Sequence, residues 1–423
     1  MASSNLYRGP YRGRIWFPYT QMQDLPAPPE IVRGEGVWLY ARDGSRTLDA
    51  ISSWWVTLHG HAEPRIAEAI ARQARTLEQV ILADYTHPLA EELADKLVAI
   101  TPAGLQHVFY SDDGSTAVEV ALKMALQCWQ QRGERQRKRI VALEGAYHGD
   151  TLAAMSVSEA TAFTAPFRQW MFPVERVSAE RLEALAALLA DHGPEVAALI
   201  IEPLLQGVAG MRVQTPEFLR AVRDLCDEHQ VLLIADEVLT GFGRTGTMFA
   251  CEQAGIAPDI LCLSKGLTGG ALPLAATLCT EAVYDAFLSD DRERTLFHGH
   301  SYTGNPLGCA AALASLAIFE TEPVGERIAG IAAIHAQRLE RLRPHPRVAA
   351  VRQAGTVAAV ELQRAGRGYL SEAGLHLRRH YEKESVLLRP LGPVIYVLPP
   401  YRIQPSELEW VWDVIADSLE RIG

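Results

Sequence analysis

Along residues 106–280, short apolar runs alternate with stretches whose apolar positions recur at helical spacing. The runs are His107 to Tyr110, Arg139 to Leu143, Ala198 to Glu202, Val231 to Ala235, Asp259 to Leu263 and Leu274 to Thr280. Runs of this kind bounded by turn residues read as buried strands, and their alternation with helices predicts a mostly parallel sheet covered on both faces. The flanks differ. Residues 1 to 60 are rich in aromatics, proline and turns, while the tail from about 330 mixes helices with short strands such as Val357 to Leu362 and Val394 to Leu398. Ser406-Glu407-Leu408-Glu409 fits a capping box that opens a final helix, with Leu408, Val411, Trp412, Ile415 and Leu419 on one face. The expected architecture is α/β: a large domain over residues 61–330 with a mostly parallel central sheet, and a small α+β domain built from segments 1–60 and 331–423.

In such sheets ligands sit beyond the carboxyl ends of the strands, so residues just after the runs carry the candidate chemistry. Ile234-Ala235-Asp236-Glu237-Val238 ends one run in two carboxylates, and Leu263-Ser264-Lys265-Gly266 ends the next in a lysine. Each residue alone is ordinary, since acids end many strands and a lysine beside glycine is usually solvated. Together they suit pyridoxal phosphate, which needs a lysine for its aldehyde and a carboxylate to keep its pyridine nitrogen protonated. Lys265 and Asp236 are the expected pair.

Tyr110 to Thr116 leaves a strand and enters a helix, whose first turn offers unpaired N–H groups and a positive dipole end to a phosphate. Gly114 lets the phosphate approach and Ser115 adds a hydroxyl, although the same residues suit a plain N-cap. In Glu144 to Asp150, Tyr147 is the candidate to stack on the cofactor ring and to act near the substrate, with His148 and Asp150 expected to hold the loop. Val238 points to the side of Asp236 and is expected against the other ring face. His298 to Pro306 offers a second phosphate contact through Ser301. No third metal ligand stands near His298 and His300, so a metal is not expected.

Composition narrows the partners. Forty basic residues against 51 acidic ones give a net charge of -11, and the basic run Arg135 to Arg139 reads as a solvated helix end, which argues against nucleic acid. The six cysteines are scattered without zinc spacing, as in a reducing compartment. No stretch has signal-peptide or membrane-span character, so a cytoplasmic location is expected.

These segments resemble the class III pyridoxal-phosphate aminotransferases over nearly the whole chain. The likeness is carried by Asp236 to Gly246 (Asp-Glu-Val-Leu-Thr-Gly-Phe-Gly-Arg-Thr-Gly), Pro258-Asp259-Ile260 and Ser264 to Gly270. It implies fold type I of the pyridoxal-phosphate transferases, Lys265 and Asp236 in the roles above, and a homodimer with shared sites. There Ser301, with His300, would reach the neighbouring subunit's phosphate. A branch acting in biotin biosynthesis is matched more closely, through Trp16 to Thr20, Ser52 to Trp55, Val118 to Leu126, Tyr147 to Asp150, Leu388 to Pro390, Tyr396 and Pro399 to Tyr401.

That branch implies S-adenosylmethionine as donor and 8-amino-7-oxononanoate as acceptor, with Tyr19, Trp54, Trp55, Tyr147, Gly299, Arg389 and Tyr396 at the substrate. Arg389 would clamp the acceptor's carboxylate, a pairing that suits a guanidinium. As neighbours on an extended segment, Trp54 and Trp55 should face opposite ways, one of them into the core. Two departures stand out. Gly299-His300-Ser301 replaces the Gly-Pro-Thr of the best-known members, and some relatives with a similar loop use lysine as donor, which leaves both donors open. Leu239 replaces a glutamine common in the class, removing one hydrogen bond to the ring hydroxyl. Another ω-aminotransferase, a mutase or decarboxylase on the same scaffold, and a non-catalytic relative are the alternatives.

Overall fold

The structure is a computed structural model that describes residues 10–23, 25–159, 161–363 and 372–421. Its centre is a seven-stranded sheet of β1 (Leu105–Ser111), β2 (Arg139–Leu143), β3 (Glu175–Val177), β4 (Val196–Ile201), β5 (Leu232–Asp236), β6 (Ile260–Leu263) and β7 (Ala275–Thr280). The spatial order is β1-β7-β6-β5-β4-β2-β3. Every pairing is parallel except the two made by β7. The six apolar runs form six of these strands. The edge strand β3 escaped because it has three residues, of which only Val177 is buried.

The runs are continuous because both faces of the sheet are covered. On β5, Leu232 and Ile234 join the core packed against helix α1 (Gly114–Gln131), while Leu233 and Ala235 join the core on the opposite face. This alternation sorts the two acids that follow. Asp236 continues the Ile234 side and emerges beside the start of α1, and Glu237 turns the other way.

The two ends of the chain build the small α+β domain together. Ile31–Glu35, Trp38–Ala41 and Arg46–Asp49 form an antiparallel meander, and Val386–Leu387 adds to it in parallel with Arg46–Asp49. Val348–Ala354, Val357–Leu362 and Val394–Val397 form a second, antiparallel sheet. Helix α2 (Val324–Leu342) packs on it, and α3 (Pro405–Arg421) packs against α2. The expected apolar face of α3 is buried from Leu408 to Leu419. Its capping box is shifted, however. Proline fits the first helical position, so the helix opens at Pro405, and the Glu407 carboxylate accepts from the Gln404 N–H at 2.8 Å. Ser406 therefore lies inside the helix rather than at its cap. Among the described residues, no single helix is long and apolar enough to cross a membrane.

A buried polar chain links this domain to the sheet. The Trp412 indole N–H donates to His335 Nδ1 at 3.1 Å, and His335 Nε2 donates to the Thr356 carbonyl at 3.1 Å. Thr356 bonds the Arg244 carbonyl through both its N–H and its hydroxyl. The buried Arg244 guanidinium then donates to the carbonyls of Pro399 and Thr57. Burial holds the His335 imidazole down to about 4. Between about 4 and the ordinary histidine value the unfolded chain binds the extra proton, so folded stability rises with pH across that window and is lost as pH falls through it. The span is worth about 3 kcal/mol. Denaturant unfolding at a series of pH values should show that His335→Gln removes a rising slope of this size.

Candidate active site

Asp236 sits at the carboxyl end of β5, 5% exposed. One of its carboxylate oxygens meets His148 Nδ1 at 2.7 Å and the other accepts the Val238 N–H at 3.1 Å. The His148 side chain is fully buried, and its Nε2 has no hydrogen-bond partner among the described residues. The neighbouring acid does different work. Glu237 accepts from the N–H groups of Ala250 and Cys251 and from the Thr240 hydroxyl, so it holds the loop that follows β5.

Helix α1 opens opposite Asp236. Asp113 and Thr116 form the capping box, which satisfies the Thr116 N–H. Gly114 and Ser115 thus head the helix with N–H groups that have no intrahelical acceptor. Gly114 is required here by contact, since a Cβ would lie 2.6 Å from Val238 Cγ1. The Ser115 hydroxyl accepts the Asp150 N–H at 3.1 Å and keeps its own proton to donate. The N-cap and the open helix-head N–H groups therefore stand on successive residues.

Lys265 follows β6, the parallel neighbour of β5, in which Cys262 stands opposite Asp236. Its backbone is left-handed, with φ of 41°, a strain that tends to collect at functional sites. Burial lowers the amine's pKa, against the raising influence of Asp236 and Glu202. A cavity of about 420 Å³ brings these groups together: Gly114, Ser115, Tyr147, His148, Glu202, Asp236, Val238 and Lys265 all line it. Glu202, which closes β4, accepts the N–H groups of Tyr147 and Gly207 at 3.0 Å each. Burial pushes its carboxyl up to about 7.

A second cavity of about 260 Å³ shares Trp55, Tyr147 and Lys265 with the first, and adds Tyr19, Trp54, Phe163, Val208, Arg389, Leu391 and Tyr396. The Tyr19 hydroxyl donates to Asp150 and accepts from the Tyr147 hydroxyl at 3.1 Å. Burial, and then the bond to Tyr19, raise the Tyr147 phenol above its usual range. The Tyr19 ring touches those of Trp54 and Phe163, and the Arg389 guanidinium lies 5.1 Å over Trp54.

Of the paired tryptophans one joins the buried core as expected, Trp55, but not for the expected reason. Residues 52–55 form a kinked helical turn in which Ser52, Ser53 and Trp55 have positive φ, so the two-residue alternation of a strand does not apply. Both indoles line the second cavity, Trp55 at 5% exposure and Trp54 at 41%. Gly299, His300 and Ser301 line neither cavity. His300 lies 3.4 Å from Asp112, and Gln79 donates to the Ser301 carbonyl.

Sequence reasoning overlooked His148, Glu202 and Phe163 as site residues. Glu202 carried the signal that found Asp236, an acid ending an all-apolar run. The contacts of His148 and Phe163 join positions far apart in the chain and left no local mark.

Chemically, the first cavity offers a carboxylate backed by an imidazole, a helix start suited to a dianion, a branched aliphatic and an aromatic side chain, and one amine. That donor set fits a flat, phosphorylated pyridine aldehyde. The unpaired Gly114 and Ser115 N–H groups and the Ser115 hydroxyl suit its phosphate.

Residues 19–419 match the model of the family described as aminotransferase class-III. An adenosylmethionine-8-amino-7-oxononanoate aminotransferase of Synechococcus elongatus is 50% identical over 427 residues, spanning 98% of this chain and 100% of that protein. The solved structure of the enzyme of the same name from Methanocaldococcus jannaschii has a TM-score of 0.93 at 39% identity, over 96% of this chain and 97% of that one. An amine transaminase from an uncultivated Pseudomonas species, solved in its pyridoxal-phosphate-bound form, has a TM-score of 0.90 at 31% identity, over 98% and 100%.

Glu202 supplies a test that needs no substrate. A carboxyl raised to about 7 binds its proton more tightly in the folded state, so its favourable effect is complete below the ordinary glutamate value. It is lost as pH rises toward about 7, opposite in sign to the effect of His335 and worth about 3 kcal/mol. In the cofactor-free protein, Glu202→Gln should abolish this falling slope in a pH series of unfolding curves.

Proposed function

We infer, from the premise that this chain belongs to the class III aminotransferases, that it transfers an amino group from S-adenosylmethionine to 8-amino-7-oxononanoate in the cytoplasm. The product is 7,8-diaminononanoate, for biotin biosynthesis. Within the class, one observation carries the reading: the second cavity, walled by aromatic rings, with Arg389 over Trp54 and no carboxylate among its lining residues. A long apolar keto acid with a terminal carboxylate needs those features, since a guanidinium grips two carboxylate oxygens at once. The donor's sulfonium and adenine are drawn to the same aromatic faces. Donor and acceptor therefore use one pocket in turn, in a ping-pong sequence.

When bound, pyridoxal phosphate supplies an aldehyde that captures amines and a protonated ring that draws electrons from the carbon beside them. Asp236 would hold the protonated ring nitrogen, and His148 fixes that carboxylate in place. The Gly114 and Ser115 N–H groups and the Ser115 hydroxyl hold the phosphate. Tyr147 and Val238 would pack on the ring, and Tyr147, oriented by Tyr19 and Asp150, would present its hydroxyl to the substrate. Lys265 tethers the aldehyde. When free, its Nζ would be the base that takes the proton from the donor's reacting carbon and later returns it. Tyr19, Trp54, Trp55 and Tyr396 shape the substrate pocket, and Arg389 binds the carboxylate.

Gly299, His300 and Ser301 belong to this machinery through a homodimer, in which each subunit's loop completes its neighbour's site. Two features support that assembly. The loop lines neither cavity of its own chain, and around it Ile81, Tyr85, Phe297 and Tyr302 are each 60–70% exposed. Gln79 and Asn305 tie these two apolar segments into one surface.

Mixing the yellow holoenzyme separately with S-adenosylmethionine, lysine and ornithine should bleach its visible band rapidly with S-adenosylmethionine alone. Rapid bleaching by lysine or ornithine instead would overturn the donor assignment. Lys265→Ala should lack the band of the lysine-tethered cofactor. Its turnover should fall by at least about a hundredfold, the scale of a lost general base.

A further inference from the structure

The mechanism leaves one close contact of its central amine unused. Lys265 Nζ lies 4.9 Å from the centroid of the Trp55 ring, within the range of cation–π attraction. That ring is held on two sides. Its indole N–H donates to the Tyr396 hydroxyl at 3.0 Å, and the two rings meet edge to face at 5.9 Å. Across from them, a Cβ on Gly207 would stand 3.1 Å from the indole, so the bare backbone there packs directly against it. Trp55 itself has a left-handed backbone, φ 70°, and is 5% exposed. An indole so fixed presents one face to one amine, at the junction of the two cavities.

We propose that Trp55 is a positioning residue for Lys265: its ring face seats the free amine and favours the ammonium form whenever that amine is not joined to the cofactor. The proposal rests on the assignment of Lys265 as the cofactor lysine, and it is independent of which donor is used. A lysine that takes a proton from a carbon becomes a cation inside a buried site, where desolvation opposes it. Asp236 at the end of β5 and Glu202 after β4 favour that cation, while Arg244 in the loop after β5 opposes it. Arg389, Tyr147 and Tyr396 share the second cavity with it. The indole adds attraction without adding a charge, and it fixes the direction in which the amine waits.

A role as a plain wall predicts the opposite sign. A smaller residue at position 55 would admit water and relieve desolvation, which raises the amine's pKa. Loss of a cation–π partner lowers it. The full-length protein, freed of cofactor, is treated with a small acylating reagent across a pH series, and the rate at the Lys265 peptide is read by mass spectrometry. The midpoint of the profile reports the amine and its plateau accounts for access. The midpoint should fall in Trp55→Phe and further in Trp55→Leu, where the neutral fraction at a given pH below the midpoint should rise about tenfold. An unchanged or higher midpoint in Trp55→Phe overturns the proposal, so the decision does not depend on the leucine variant folding. The tether is tested apart from this. If reconstituted Lys265→Ala kept the visible band of the wild-type protein, the assignment of Lys265 would fail while the measured midpoints still judged the indole contact.

Discussion

The site depends on the contact between the Asp236 carboxylate and the His148 ring, made at the carboxyl end of a strand with both residues buried. A carboxylate placed there shares the first cavity with the opening turn of α1, an arrangement that suits a flat molecule with an anionic tail. The strand's two-residue period is the cause. It sends Asp236 to the α1 side and leaves Glu237 to hold the loop that carries Arg244. A slip of one residue in β5 would exchange the two acids and abolish the site without changing the composition of the sheet.

The second cavity is built differently, by contacts between the chain's two ends and the central sheet. Tyr19 and the tryptophan turn come from the beginning of the chain, Arg389, Leu391 and Tyr396 from its end, and Tyr147 and Lys265 from loops at the sheet edge. Ser52 donates to the Leu398 carbonyl, Trp55 to Tyr396, and Arg244 to Thr57 and Pro399. On the proposed reading, substrate selection lies where the terminal segments meet, while cofactor chemistry lies in the sheet. A scaffold divided in this way can change substrate through its ends and keep its reaction.

Much of this was legible in the residue order, for identifiable reasons. Strands buried on both faces are continuous apolar runs, so six of the seven strands were visible, and the residues after them gave Asp236, Lys265, Gly114, Ser115 and Tyr147. What stayed hidden depends on long-range contact or unusual backbone. His148 meets Asp236 across 88 positions, and Phe163 meets the cavity through Tyr19. The turn at residues 52–55 uses left-handed conformations at serine and tryptophan, which local preference argues against, so it read as extended chain. The start of α3 moved by two residues because proline took the first helical position. Resemblance to a known class supplied the substrate pocket, which no periodicity encodes.

The parallel pairing of Val386–Leu387 with Arg46–Asp49 has a consequence for the protein during synthesis on the ribosome. The amino-terminal meander lacks its fourth strand until nearly the whole chain has emerged, and Arg389 follows that strand by two residues. The residues that line the first cavity, up to Leu274, emerge much earlier. A chain terminated before Val386 would thus carry those lining residues without Arg389. The order of translation itself places recognition after chemistry.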